Sequence, residues 1–304
     1  MPSTSPQSRR TALLGLSTSG ALLALGALAE AAAATAALPR SGGATRMPVI
    51  FIGHGSPMNA IRENAFTRSL RDWGASLPRP AAILSVSAHW LTNGVTGVGI
   101  QARPRTIHDF SGFPDELHQM QYPAPGAPEL ARQAAAAVKQ RTVHGTDRWG
   151  LDHGTWTVLR HLYPKADVPV FQLSIDYDQP AAFHHSIGRE LAALRERGVL
   201  ILGSGNVVHN LRATERHLPE AAEASRPWAR GYDLAVKRAL DTRDDQALIG
   251  WQQLSMFAAQ AVPTPDHYYP LLYAVGAAEA SEPVRHVFEG FHSGTLSMRC
   301  VQFG

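Results

Sequence analysis

The stretch Pro48-Val49-Ile50-Phe51-Ile52-Gly53-His54-Gly55-Ser56-Pro57-Met58-Asn59 decides how the chain is read. Val49 to Ile52 is a short apolar run, mostly β-branched, and Gly53 closes it. That pattern describes a strand buried on both faces. The glycines on either side of His54 let the backbone turn sharply and approach a ligand closely. A histidine at the tip of a buried strand stands where open α/β sheets bind their ligands.

The same arrangement recurs outward along the chain. Residues 81–87 form a second apolar strand, followed at once by Ala88-His89-Trp90. Residues 199–203 form another, followed by Ser204-Gly205-Asn206-Val207-Val208-His209. Residues 95–100 and 168–175 read as further strands, and 285–291 with 295–303 as a closing strand pair. Helical spacing marks 65–73, 128–140, 155–162, 181–196, 224–240, 244–253 and 267–275. Strands alternating with helices predict an α/β fold: a single domain over residues 47–304, with a central mixed, mostly parallel sheet flanked by helices on both faces. Residues 101–128, rich in Pro, Gly and aromatics, form a long irregular segment of the kind that usually carries function.

Composition narrows the function. Residues 1–46 hold Arg9, Arg10, Arg40 and Arg46 against Glu30, which is the whole net charge of +3. The remaining 24 basic and 24 acidic side chains cancel, so the body lacks the cationic excess of a nucleic-acid-binding protein. Cys300 is the single cysteine, which excludes an internal disulfide and a cysteine-built zinc cage. It falls in a terminal strand and reads as packed rather than nucleophilic. Histidine is in surplus, with 14 residues, all beyond position 46.

The N-terminus reads as a twin-arginine-like signal peptide and flexible connector over residues 1–46. Arg9-Arg10 precedes a mildly apolar stretch, and small residues crowd around Ala27 to Ala34. An uncleaved anchor is the alternative. Cleavage would leave a periplasmic protein with no membrane segment, and cytoplasmic action is the other possibility.

His54, His89 and His209 follow strands, and His267 opens a helix after Pro263-Thr264-Pro265-Asp266. Four imidazoles from those places can converge on one divalent cation, iron(II) or zinc(II). His153, after Asp152, and His108, in the irregular segment, are candidate acid–base or substrate-binding groups. Asp152-His153 and Asp266-His267 also read as helix caps. His118, His144, His161, His184, His185, His217, His286 and His292 read as solvated. The sequence has no His-Glu-x-x-His, phosphate loop, dinucleotide fingerprint or complete Gly-x-Ser-x-Gly elbow.

Seven segments, taken in order, resemble the DOPA-type class III extradiol aromatic ring-opening dioxygenases. They are Gly53-His54-Gly55-Ser56-Pro57-Met58-Asn59, Ser87-Ala88-His89-Trp90, Thr106-Ile107-His108-Asp109-Phe110 and Tyr122-Pro123-Ala124-Pro125-Gly126. Asp152-His153-Gly154-Thr155-Trp156, Gly205-Asn206-Val207-Val208-His209-Asn210 and Pro265-Asp266-His267-Tyr268-Tyr269-Pro270 complete the set. The resemblance implies one metal per chain and opening of a catechol ring by O2 to a hydroxymuconate semialdehyde. The catalyst would be a monomer or small homo-oligomer with Fe(II), and Zn(II) as the alternative occupant. By resemblance His54, His89 and His267 are metal ligands, His209 is a fourth ligand or the catalytic base, His153 lines the dioxygen and substrate pocket, and His108 contacts substrate. Arg103, Arg105 and Asp109 are candidates to meet charged groups of the substrate. Two rivals stand beside this reading. A zinc hydrolase on the same histidines would act without O2 uptake, and a non-catalytic periplasmic metal-binding protein would have no substrate cavity.

Overall fold

The computed structural model describes residues 46–215, 217–218 and 224–304, so the expected leader and its connector lie outside the described residues. The described chain runs β1 (Val49–Gly53), α1 (Ala65–Ser76), β2 (Ala82–Thr92), β3 (Thr96–Gly99), α2 (Asp115–Gln119) and α3 (Pro128–Ala137). It continues with β4 (Val143–Thr146), α4 (His153–Leu162), β5 (Val170–Asp176), α5 (Ala181–Leu191) and β6 (Val199–Gly205). After β6 come α6 (Pro227–Asp241), α7 (Asp245–Ile249), α8 (Ala258–Ala261) and α9 (Tyr269–Ala277). β7 (Val284–Phe288), β8 (Phe291–His292), β9 (Leu296–Ser297) and β10 (Cys300–Phe303) close the chain.

Eight strands form one sheet in the order β4-β3-β5-β2-β6-β1-β10-β7. The centre, β5-β2-β6-β1, is parallel, whereas β10 joins β1 antiparallel and β7 joins β10 antiparallel. This is the expected mixed, mostly parallel sheet. Its period-2 side chains divide between two cores. Val49, Phe51, Leu84, Val86 and Ile201 face one, packed with Ile187, Leu191 and Leu271 from α5 and α9. Ile50, Ile52, Ile83 and Leu202 face the other, with Phe66, Leu70 and Trp156 from α1 and α4. Helices therefore cover both faces, which is why the parallel strands are apolar throughout.

Three details differ from the sequence expectation. β2 runs on to Thr92, so His89 lies within the strand rather than after it. It sits where the pairing with β5 slips, between Val86↔Leu173 and Leu91↔Ile175, and such bulges re-aim a side chain. The helix expected over 181–196 stops at Leu191 and tightens into a 3-10 turn over Ala192–Arg197, closed by Gly198 at φ 75°. The helix expected over 244–253 divides in the same way after Ile249.

The histidines expected to be solvated divide: His161 and His184 are buried, and His118, His185, His286 and His292 are half-buried. Only His144 and His217 of those eight are exposed. His184 shares the stripe of Ile187, Gly188 and Leu191 that α5 buries. Its imidazole lies 3.0 Å from the Tyr273 hydroxyl, and its Nε2–H donates to the Gln179 carbonyl. Burial pushes it down to about 4. His161 is buried on α4 and donates to the Asn59 carbonyl at 2.8 Å. An imidazole with a local acceptor packs on an apolar stripe, and a pattern that scores histidine as polar misses that. Cys300 is buried as expected, and burial pushes its thiol up to about 12, which keeps it protonated. No helix among the described residues is long and apolar enough to cross a membrane.

Candidate metal centre and its cavity

The register of the central strands gathers the site. Gly53 of β1 pairs with Gly205 of β6, and Ser87 of β2 pairs with Ser204 of β6. His54 therefore leaves β1 beside the end of β6, and its backbone N–H donates to the Gly205 carbonyl at 3.0 Å. His267 arrives from the other direction, just before α9. Its carbonyl accepts the Asn206 N–H at 2.8 Å.

Hydrogen bonds fix which nitrogen His54 and His267 offer. Ser204 donates its hydroxyl to the Gly154 carbonyl at 2.5 Å. Toward His54 Nδ1, 3.0 Å away, it must then accept, so Nδ1 carries the proton. His54 Nε2 is left bare and lies 3.3 Å from His89 Nε2. His267 Nδ1 donates to Asp266 at 2.5 Å, which likewise bares its Nε2. His89 Nδ1 lies 3.5 Å from Asp109 Oδ2. His54 and His267 thus have an oxygen behind the ring and a lone pair in front, as metal-binding imidazoles do, whereas the approach of Asp109 to His89 is not a hydrogen bond.

The three rings form a nearly equilateral triangle, with centroids 5.1, 5.0 and 5.3 Å apart. One nitrogen from each of His54, His89 and His267 comes within 4.8 Å of the others. Imidazoles bound to one cation at about 2.1 Å have ring centres roughly 5 Å apart, so the set fits a single divalent metal. Protonation favours the same use. Burial, reinforced by the neighbouring imidazoles, holds His54 and His89 well below the usual histidine range, so both are neutral at pH 7.

His209 stands apart from that triangle. It stacks on His267 at 3.5 Å with the rings 4° from parallel, and it groups with Asp266 and His267. Burial, with His267 beside it, lowers His209 below the usual histidine range, which leaves its ring neutral. His153 lies on the opposite side, its ring 3.8 Å from His89 and 5.8 Å from His54. Asp152 is the helix cap that the sequence suggested: it accepts the Thr155 N–H at 3.1 Å and the Ser87 hydroxyl at 2.7 Å. Asp266 is no cap, since its carboxylate is turned to His267.

The imidazoles floor a cavity of about 940 Å³. Met58, Phe110, Phe113, Leu211, Leu218 and Leu296 give it apolar walls. Phe110 to Phe113 come from the long irregular segment, which is therefore part of the site. His108 does not line the cavity. Its Nε2–H donates to the Met120 carbonyl at 2.8 Å, and its ring sits 5.8 Å from Phe110, which does line it. Arg103 and Arg105 are exposed and also lie outside the lining. The lining includes Arg62, which the sequence does not single out, and His292, which reads from the sequence as solvated. Ser204 was missed as well, because a hydroxyl at a strand end carries no distinctive pattern until its partner is known.

A buried cluster of histidines at the strand ends of a doubly covered sheet, able to hold a metal and opening into an apolar-walled cavity, has the form of an α/β enzyme's small-molecule site. Comparison with known proteins places it more closely. The family model for the catalytic LigB subunit of aromatic ring-opening dioxygenase matches residues 46–300, and the chain belongs to that family. It is 46% identical over 264 residues to a 4,5-DOPA dioxygenase extradiol of Escherichia coli K12, covering 86% of this chain and 96% of that one. A 4,5-DOPA dioxygenase extradiol of Beta vulgaris is 35% identical over 259 residues, covering 83% and 95%. The crystal structure of an uncharacterized Escherichia coli K12 protein superposes with a TM-score of 0.74 at 41% identity, over 85% of this chain and all of that one. The chain is an extradiol ring-cleaving dioxygenase, which acts on an aromatic substrate and O2.

Proposed function

We propose that this enzyme opens the ring of a catechol bearing an acidic side group, with iron(II) held by His54, His89 and His267. The observation that carries the reading is the triangle of three imidazoles beside the apolar cavity. Iron(II), when bound, supplies an electron path between ring and dioxygen that triplet O2 otherwise lacks, and the filled d shell of zinc(II) cannot. The chain supplies the rest. The three rings present lone pairs from one side only, which leaves the cavity side to substrate and O2. Phe110 and Phe113 confine the aromatic plane and exclude water. His209, neutral and next to the ligand His267, is assigned to take the first catechol proton, and His153 to hold an oxygen atom on the other side.

The experiment is anaerobic loading with iron(II) or zinc(II), then O2 uptake with a panel of catechols. Iron-dependent uptake, with a yellow semialdehyde formed one-for-one with O2, supports the reading. Ester or amide hydrolysis by the zinc form without O2 uptake would replace it. His209→Ala is expected to keep at least 0.8 metal per chain and to lose about 10²-fold or more in kcat. Metal loss in that variant would make His209 a ligand.

The acidic side group is inferred from charge. Among the described lining residues Arg62 carries the only permanent charge, and no carboxylate lines the cavity. Arg62 is exposed at the rim, so water weakens its hold. Arg62→Gln is therefore expected at the low end for a charged hydrogen bond: KM for a catechol carboxylate rises about 10-fold. KM for unsubstituted catechol should not change. The paired arginines and small-residue stretch before residue 46 support a periplasmic site of action.

A further inference from the structure

We propose that Asp109 is a positioning residue that fixes the ring tautomer of His153, so that a bare Nε2 faces the substrate. Asp109 does not line the cavity; it stands behind His153 and acts through it. Its carboxylate grips His153 twice. Oδ1 accepts the His153 backbone N–H at 2.8 Å, and Oδ2 lies 3.0 Å from the ring Nδ1. That Nδ1 is buried, its approach to Oδ2 is not aligned as a full hydrogen bond, and no other group bonds it. A carboxylate only accepts, so the proton belongs on Nδ1. Nε2 then keeps its lone pair and can accept a hydrogen bond from a hydroxyl of the bound diol.

The placement of Asp109 is built in by its neighbours. The segment carrying it is tied down by Ile107 N–H to the Leu151 carbonyl at 2.7 Å and by the Trp156 indole to the Ile107 carbonyl at 2.9 Å. Leu151 and Trp156 flank His153 in sequence, so loop and helix start move as one body. The same Oδ2 is 3.5 Å from His89 Nδ1, the longer of its two approaches. Asp109 therefore serves His153 first.

Asp109→Asn tests this. The amide keeps the shape but turns an N–H toward Nδ1, which can then only accept; the ring proton moves to Nε2. The same logic governs carboxylate–imidazole pairs in hydrolases. The measurement is long-range ¹H–¹⁵N correlation of histidine-labelled, zinc-loaded protein, with metal content and iron(II)-dependent kinetics alongside. The wild type should show His153 protonated at Nδ1 and the variant at Nε2. In the variant kcat should fall about 10²-fold, with KM within threefold and metal per chain unchanged. Asp109→Ala, which removes the acceptor without adding a donor, should show a mixture of tautomers and a smaller loss.

The proposal is overturned if wild-type His153 is bare at Nδ1, or if the Asn variant keeps the wild-type tautomer. It is also overturned if metal content falls in step with kcat, which would assign Asp109 to His89, or if a second zinc equivalent binds the wild type and is lost in the variant. The kinetic arm rests on the ring-opening reading, and the spectroscopic arm does not. A wild type that turns over no catechol would sink that reading, while the tautomer measurement would still decide the role of Asp109.

Discussion

Replacing His54 by alanine is expected to leave a folded chain that holds no stoichiometric metal and opens no ring. Of the three triangle residues, His54 is the most buried, at 2% exposure, and it is fixed by backbone and side chain together. Two imidazoles remain in the variant, and water must supply the missing donor. A two-histidine site holds a divalent cation far more weakly than a three-histidine one, so dialysis should empty it. Turnover then falls to background, a loss of roughly 10⁶-fold on the scale of ordinary enzymic acceleration. Folding should survive, because the removed ring is polar and sits at the cavity floor, outside both apolar cores. Metal analysis after dialysis, O2 uptake and a thermal melt give the three readings. A dialysed variant that still carries a full equivalent of metal would remove His54 from the centre. Ser204→Ala should show the same effect in miniature: the His54 tautomer is freed, and metal affinity drops about 10- to 100-fold.

That contrast also marks how far the sequence reaches. The strands could be read because a parallel sheet covered on both faces needs near-continuous apolar runs, and Val49 to Ile52 or Val199 to Leu202 are such runs. Their order in the sheet could not, because it depends on which strands cross over. The ligands could be read in part. Strand ends are where a sheet offers side chains to a ligand, and His54 stands at one, but only the slipped pairing near Leu91 explains how His89 turns inward from within its strand. Roles set by distant partners stayed hidden. Asp109 read as a contact for substrate, and the structure turns its carboxylate to His153. His108 read as a contact, and the structure turns its Nε2–H to the Met120 carbonyl. In both cases the residue type announced chemistry, while the direction of the side chain decided what it does.

Gly205→Ala is expected to cost the enzyme its site through a single methyl group. A Cβ at Gly205 would fall within the van der Waals shell of the His267 carbonyl oxygen, with no flexible side chain there to yield. Two residues earlier in the same strand, a Cβ at Gly203 would meet the Pro270 carbonyl in the same way. The start of α9 is therefore seated on the bare backbone of β6, and that contact sets where His267 stands. Overpacking of this kind costs about 1–3 kcal/mol or more, against a total stability of about 5–15 kcal/mol. The fold should persist, because β6 is paired on both sides by β1 and β2 and cannot move far. The yielding part is the segment around His267, which joins the centre from a loop. A displacement of a few tenths of an ångström to 1 Å there breaks the triangle and the Asp266 hydrogen bond together. The expected result is a melting temperature lowered by several degrees, metal affinity down at least about 10-fold, and kcat down by more than the metal loss explains. Gly94→Ala is the control, since it sits at φ 69° in open space away from the cavity. Its cost is backbone strain alone, about 1 kcal/mol, so it should lower stability and leave metal binding and turnover unchanged. If both variants lost metal in proportion to stability, the centre would be responding to global loosening, and the seat of α9 on β6 would have no special part in it.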